Sequence, residues 1–256
     1  KVSFKFIKNQ TALLRNNSKY ADRSSSGKFI TIYPNSDTQF TELLPILKQI
    51  TEQYFQGAYI LSDKRWKNSN VFFRYGAFKK IEKTIDGKKV DCIKNPNGMW
   101  VEDVRVPYYV VPKFVTEPKI ILENKNDVVN TDKLDEFTIK SAIHFSNAGG
   151  VYQANKNGRT LVLKEGRPEA GLDAQLNDGY TRIKHEYQIL KKLKKVHGVV
   201  SVKDYFKVWE HNYLVEEFVQ GMSLHSFVMF NYPFSNKLKK SAVATKYFRR
   251  VQEIYN

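Results

Sequence analysis

Along the first hundred residues apolar and polar positions alternate in short runs. Phe4-Lys5-Phe6-Ile7 and Lys28-Phe29-Ile30-Thr31-Ile32-Tyr33 carry the aromatic and β-branched enrichment of strands. Thr41 to Tyr54 changes to a helical period, with Pro45 expected in the first turn, where a missing N–H is harmless. Asn70 to Tyr75 reads as a further strand, and Asp86-Gly87 between two short runs predicts a two-residue hairpin. Pro107 to Pro118 is proline-spaced and extended, and Glu123 to Asp132 is polar and rich in turn formers. A domain boundary is therefore expected near residue 135, giving domains 1–135 and 136–256. Strand patterns resume at Phe137 to Phe145, Gly150 to Ala154 and Thr160 to Lys164, followed by a helix over Asp178 to Lys195. Strands at Ser201 to Trp209 and Asn212 to Val219 then complete a small sheet crossed by one helix. The expected class is α+β.

Composition narrows the possibilities. With 41% hydrophobic and 27% charged residues in 256, the chain excludes intrinsic disorder, collagen-like repeats and coiled-coil arrays. No apolar run approaches the ~18 residues of a spanning helix, so no membrane partner is expected. One cysteine, Cys92, excludes an intrachain disulfide framework, and the five histidines show no metal-ligand spacing. The cytoplasm is the expected compartment. Forty-two basic residues against 26 acidic ones give +16, which points to negatively charged partners, phosphate in some form. The chain opens at Lys1 without Met or a signal pattern and ends at Ile254-Tyr255-Asn256 inside a helical pattern, which reads as a fragment.

Two stretches carry candidate chemistry. Residues 5 to 28 bring together Lys5, Arg15, Lys19, Arg23 and Lys28 with Asn16-Asn17-Ser18 and Ser24-Ser25-Ser26-Gly27, the groups a phosphate dianion needs. This is not a Walker loop: Asp22 occupies the first glycine position and Phe29 the Ser/Thr position. A solvated basic surface is the plain alternative. Against it, Lys5 alternates with Phe4 and Phe6, and Lys28 opens an apolar strand, so both amines are expected on largely buried elements. Desolvation and neighbouring cations would then make a lysine a usable base, and a base beside bound phosphate suggests β-elimination from a phosphoserine or phosphothreonine.

In the second half, Ile183, Glu186, Leu190 and Leu193 form one helical stripe, which places Glu186 among core-facing groups. Lys164, ending the strand Leu161-Val162-Leu163-Lys164, is its natural cation. A solvent-facing Glu186 with Lys164 as a strand cap is equally consistent with these residues alone. Before the lysine, Ser146-Asn147-Ala148-Gly149-Gly150-Val151-Tyr152 resembles the glycine-rich hairpin over nucleotide phosphates in protein kinases. In order, that turn, the lysine, the helix glutamate and Glu216-Glu217-Phe218-Val219-Gln220-Gly221 resemble a kinase small lobe running into its hinge. His144 and Ser146 replace the leading glycines of that pattern, and its catalytic-loop aspartate would lie beyond Asn256.

Longer motifs extend the resemblance. Phe4-Lys5-Phe6-Ile7, Leu13 to Pro34, Ile60-Leu61-Ser62-Asp63-Lys64-Arg65-Trp66 and Phe73-Arg74-Tyr75-Gly76-Ala77-Phe78 resemble the lyase domain of class III lanthipeptide synthetases. Leu163 to Ala174 resembles the strand and insert of the kinase domain that follows it there. The resemblance implies an OspF-like phosphothreonine lyase fold, then a kinase-like N-lobe of twisted antiparallel sheet and one αC-type helix. It implies a bacterial enzyme that phosphorylates Ser and Thr of a leader-bearing precursor peptide with ATP or GTP and Mg2+, eliminates phosphate, and cyclises onto cysteine. Under it Lys5 stands at the catalytic base; Arg15, Lys28 and Arg74 at phosphate-binding cations; and Asp63 as the residue orienting one of them. Gly149, Gly150, Lys164, Glu186 and Glu217 stand at nucleotide-binding positions. The family's general-acid histidine would precede Lys1, and no histidine occurs before His144. The cyclase is absent from this chain, and no metal is implied there.

Two other readings compete. One is a leader-peptide-binding module without turnover. The other is a nucleic-acid-binding protein, suggested by the +16 charge and 14% aromatics but supported by no recognition motif. A homo-oligomer is compatible with each. Trp66 and Trp100 read as packing residues, His185 as solvent-facing, and Asp103 with Arg105 as a surface pair.

Overall fold

The computed structural model describes residues 1–124, 130–231, 245–250 and 252. The ends of two expected features, the polar stretch Glu123 to Asp132 and the helical pattern through Asn256, fall partly outside these residues. Lys1–Glu217 forms one compact unit and Phe218–Asn256 a second.

The first unit opens with β1 (Ser3–Phe6), α1 (Gln10–Asn17) and β2 (Ile30–Tyr33), the two strands pairing antiparallel as an isolated ribbon. Asn9 caps α1 by accepting from the Ala12 amide. The helix α2 (Asp37–Thr51) starts four residues before the expected Thr41, because Ser36 accepts from the Gln39 amide while the Gln39 side chain accepts from the Asn35 amide. Pro45 therefore lies inside the helix, not in its first turn. Ser36→Ala is expected to destabilise the unit by about 1 kcal/mol, a drop of a few degrees in thermal unfolding.

Strands β3 (Lys64–Arg65) and β4 (Phe72–Phe73) pair over two residues each, so the run expected to Tyr75 is shorter than its composition suggests. β5 (Glu82–Ile85) and β6 (Lys88–Lys94) make the expected hairpin, with Asp86 and Gly87 at φ 50° and 75°, and β7 (Trp100–Glu102) joins it. Short helices α3 (Lys119–Leu122) and α4 (Asp132–Asp135) follow. Leu44, Trp66, Val71, Phe73 and Ile121 form the buried cluster of this region.

A five-stranded antiparallel sheet comes next: β8 (Thr138–Ser146), β9 (Gly149–Lys156), β10 (Arg159–Gly166), then α5 (Gly179–Lys192), β11 (Val202–Val208) and β12 (His211–Glu217), in the order β11-β12-β10-β9-β8. Strand alternation gives the sheet two distinct faces. Ala154, Leu161, Leu163, Tyr213 and Val215 pack with Phe137 on one. Lys164 and Glu216 lie on the other, which α5 crosses, with Tyr187 stacked on Tyr205 at 4.2 Å between centroids. The second unit contains α6 (Leu224–Asn231), whose first turn is closed by Ser223 accepting from the Ser226 amide.

The ribbon side and the sheet side of the first unit meet at several points, two of them built on an arginine. Arg65 stacks between Tyr59, Phe72 and Trp209, its guanidinium 4.9, 5.2 and 5.6 Å from their ring centroids, and forms an ion pair with Glu210. Tyr59 and Trp209 meet edge to face at 4.8 Å. Arg167, 2% exposed, donates through Nη1 to the Asn147 carbonyl and through Nη2 to the Tyr59 carbonyl.

Candidate functional site

The cationic site is built from a loop held at both ends. Asn16 Nδ2 donates to the carbonyls of Ser25 and Lys28, and Asn17 Oδ1 accepts from the Gly27 amide at 2.8 Å. Asp22 ties the intervening turn to Ser24 and Ser25. Gly27 adopts φ +86°, and a Cβ there would press on Ile60 and the Ala58 carbonyl, so glycine sets the path into Lys28.

Lys28 Nζ reaches Asp63 Oδ1 at 2.9 Å, and Ser62 Oγ lies 2.6 Å from the same oxygen. Burial holds the Lys28 amine below the ordinary lysine range; Asp63 opposes that shift, while the nearby charges of Arg74 and Lys5 add to it. Lys5, Lys28, Arg74 and Asp63 thus share one electrostatic neighbourhood. Arg74 is steadied by Asp103, 3.4 Å from its Nη2, and Gly76 leaves the space in which this pair lies. Asp103 is 5% exposed and also holds Arg105, so the expected surface pair is a buried carboxylate between two arginines. Arg15 is exposed in the last turn of α1, and among the described residues no hydrogen bond or ion pair joins it to the Lys28–Asp63 pair.

The expectation that both lysines stand on largely buried strands is corrected. β1, which carries Lys5, is exposed throughout, with Phe4 at 62% and Phe6 at 60%, and Lys28, though itself partly buried, lies before β2, which starts at the exposed Ile30. The alternation does separate Lys5 from its apolar neighbours; a two-stranded ribbon simply has no layer over either of those phenylalanines. Lys5 Nζ lies over the Tyr33 ring at 5.4 Å, on the face shared with Thr31.

In the sheet, Lys164 Nζ sits 2.8 Å from Glu186 Oε1 and 2.9 Å from Glu216 Oε2. Glu186 is half-buried at the α5–sheet junction, and Glu216 is 3% exposed. Burial holds the Lys164 amine down, but its two carboxylates outweigh this and place it above the ordinary lysine range. Burial likewise raises the Glu216 carboxyl, against the pull of Lys164. Glu217 points to the opposite face, where it accepts from the Ser201 amide and hydroxyl, so Glu216 and not Glu217 joins the lysine.

The glycine hairpin is turned inward. Gly149 and Gly150 are buried, and the Gly150 amide donates to Glu165 Oε2 at 3.0 Å. Burial pushes the Glu165 carboxyl up, but His211 at 2.7 Å, the Gly150 amide and Arg167 hold it below the usual range. Gly149 lies at φ +144° against the Glu165 backbone, leaving no room for a Cβ. The tip, Asn147-Ala148, packs into the 17–26 segment through Asn147 Nδ2 to Ser26 Oγ at 2.7 Å. Sequence reasoning missed Glu216, Asn147, Arg167 and the Glu165–His211 pair. Strand parity singles out Glu216 once the register Val162↔Glu216 is known; the other contacts have no local signal.

Among the described residues no group of three His, Cys, Asp or Glu could hold a metal ion, and no helix is long and apolar enough to cross a membrane. Residues 1–130 match the family model described as the RamC N-terminal domain. The chain is 36% identical over 238 residues to a probable SapB synthase of Streptomyces coelicolor, covering 91% of this chain and 25% of that protein. It thus spans about a quarter of the length of the relative it matches. The match takes in the Lys28–Asp63 site entirely, and the chain belongs to the family of the RamC N-terminal domain.

Proposed function

We propose that this chain is part of a class III lanthipeptide synthetase, with residues 1–135 forming a phosphoserine/phosphothreonine lyase site and the following sheet forming a kinase-like small lobe. The observation that carries this reading is the Lys28–Asp63 pair with Arg74 and Lys5 in electrostatic range, inside the segment that the family model matches. Arg74 and Lys28 would hold the phosphate of a phosphorylated precursor peptide. The Lys5 amine would take the proton α to the carbonyl. That C–H electron pair becomes the new Cα=Cβ bond as the Cβ–O bond breaks, and phosphate leaves with the former bonding pair. A partly desolvated ammonium at Lys28 lowers the cost of the charge arriving on phosphate.

The nucleotide, ATP or GTP with Mg2+, would supply the phosphoryl group that this elimination removes. Lys164, clasped by Glu186 and Glu216, is the residue suited to meet its phosphates. The inward hairpin offers no such contact through Gly150, whose amide is already bound. The precursor peptide is the proposed partner, and the +16 charge favours a phosphorylated or acidic one.

A synthetic phosphothreonine peptide incubated with the chain and followed by mass spectrometry tests the reading. Loss of phosphoric acid is expected, slowed about 10- to 100-fold in Lys28→Met, as befits losing one charge-assisted contact, and abolished in Lys5→Ala. Unchanged turnover in Lys28→Met would exclude this pocket as the site.

A further inference from the structure

We propose that the sheet's hairpin completes the cationic pocket of the preceding residues, with Asn147 as the positioning residue that fixes the loop bearing Lys28. The proposal rests on the lyase reading above for its chemistry, but its structural content stands on the contacts.

Asn147 is fully buried, at 0% exposure. Its Nδ2 is shared among the Asn17 carbonyl at 3.3 Å, the Ser18 carbonyl at 3.1 Å and Ser26 Oγ at 2.7 Å. Its backbone amide donates to the Lys19 carbonyl, and its two oxygens accept from Arg167 Nη1. Ser26 Oγ lies 3.3 Å from Asn17 Oδ1, the same oxygen that receives the Gly27 amide. Four links therefore run from Arg167 through Asn147, Ser26 and Asn17 to Gly27, whose successor is Lys28. Each linking side chain is at least partly buried, so each bond lost would leave a desolvated partner.

The carboxamide is chemically specific here. It must accept from a guanidinium on one side and donate to carbonyls and a hydroxyl on the other. An aspartate at 147 would keep the shape and both Arg167 contacts and lose every side-chain donor toward the loop; an alanine would lose those donors too and keep Arg167 only through the backbone carbonyl. A tip serving only as a lid over a ligand would leave this carboxamide free. Instead the tip is spent on holding the loop that aims Lys28.

The test compares wild type, Asn147→Asp, Ser26→Ala and, as a control on the exposed part of the same hairpin, Ser141→Ala. Amide hydrogen exchange at Gly27 and elimination from a phosphothreonine peptide are both measured. Exchange at Gly27 is expected to quicken about tenfold in Asn147→Asp and Ser26→Ala, the scale of one lost buried hydrogen bond, with exchange at Leu44 unchanged. Elimination should slow by a similar factor, mainly in kcat, with Ser141→Ala like wild type in both readouts. Wild-type exchange at Gly27 in both pocket-facing variants would overturn the proposal. Faster Gly27 exchange in a protein whose wild type shows no elimination would uphold the coupling and reject the lyase reading. Should Asn147→Asp fail to fold, Ser26→Ala alone decides by the same criteria.

Discussion

Replacing Arg167 by methionine is expected to lower the unfolding temperature by about 10 °C. The guanidinium is almost wholly buried and donates to three oxygens, the carbonyl and side chain of Asn147 and the carbonyl of Tyr59. Burial pushes it down to about 10, with the Glu165 charge resisting, so it remains cationic at neutral pH. Methionine fills much of the volume but leaves those acceptors without donors, at roughly 1–3 kcal/mol for each unsatisfied group. A net loss of about 3–5 kcal/mol, at ~2–4 °C per kcal/mol for a chain of this size, gives the stated shift. Arg167→Lys should recover only part of it, because a single ammonium cannot span Asn147 and Tyr59 as the planar fork does. Calorimetry on the three proteins decides, and a methionine variant melting within 2 °C of wild type would show that this attachment contributes nothing.

The second large effect is a pH-dependent one. Lys164→Met removes the cation from a Glu216 carboxyl that burial already raises, so its folded-state pKa climbs further above the unfolded value of 4.5. Between those two values the folded state binds more protons than the unfolded, and stability falls as pH rises. The variant should therefore approach wild type near pH 4.5 and lose about 3–5 kcal/mol once Glu216 would have to ionise unpaired. Glu186, being half-exposed, adds little to that loss. In wild type the sign is the same on the basic side: the raised Lys164 contributes stability that is complete below 10.5 and disappears as pH rises through its folded value. Urea unfolding at pH 5 and pH 8 separates the cases. A deficit of equal size at both pH values would rule out the ionisation of Glu216 as its cause, and Glu216→Gln in the same background should erase the pH dependence.

What the sequence disclosed was local. Asp86-Gly87 encodes a turn within its own two residues, and the strands flanking Lys164 were readable because each run is apolar and bounded by turn formers. The capping pair Ser36 and Gln39 was also present in the sequence, but the apolar period starts later and masked it. Burial of β1 could not be read, because alternation says which side chains share a face and not whether anything covers it. The choice between Glu216 and Glu217 depended on register, which no single strand contains. Asn147, Arg167 and Asp103 acquire their meaning only from partners far along the chain: Asn147 meets Ser26 across 121 positions, and Arg167 meets Tyr59 across 108. Local turn preferences assign an asparagine in a turn to the turn itself, which is why its contacts with the 17–26 segment were invisible.

Tyr59 serves both arginine attachments described above. Its carbonyl receives Arg167, and its ring lies against Arg65 and Trp209. A body fastened at one point can swivel; fastened through both ends of one residue, it cannot turn about either contact without straining the other. Separating the ribbon side from the sheet side would therefore have to break the polar clasp and the aromatic box as well as the Asn147 contacts to the 17–26 segment. Tyr59 is thus a rivet through both sides of the unit, which holds them in one orientation.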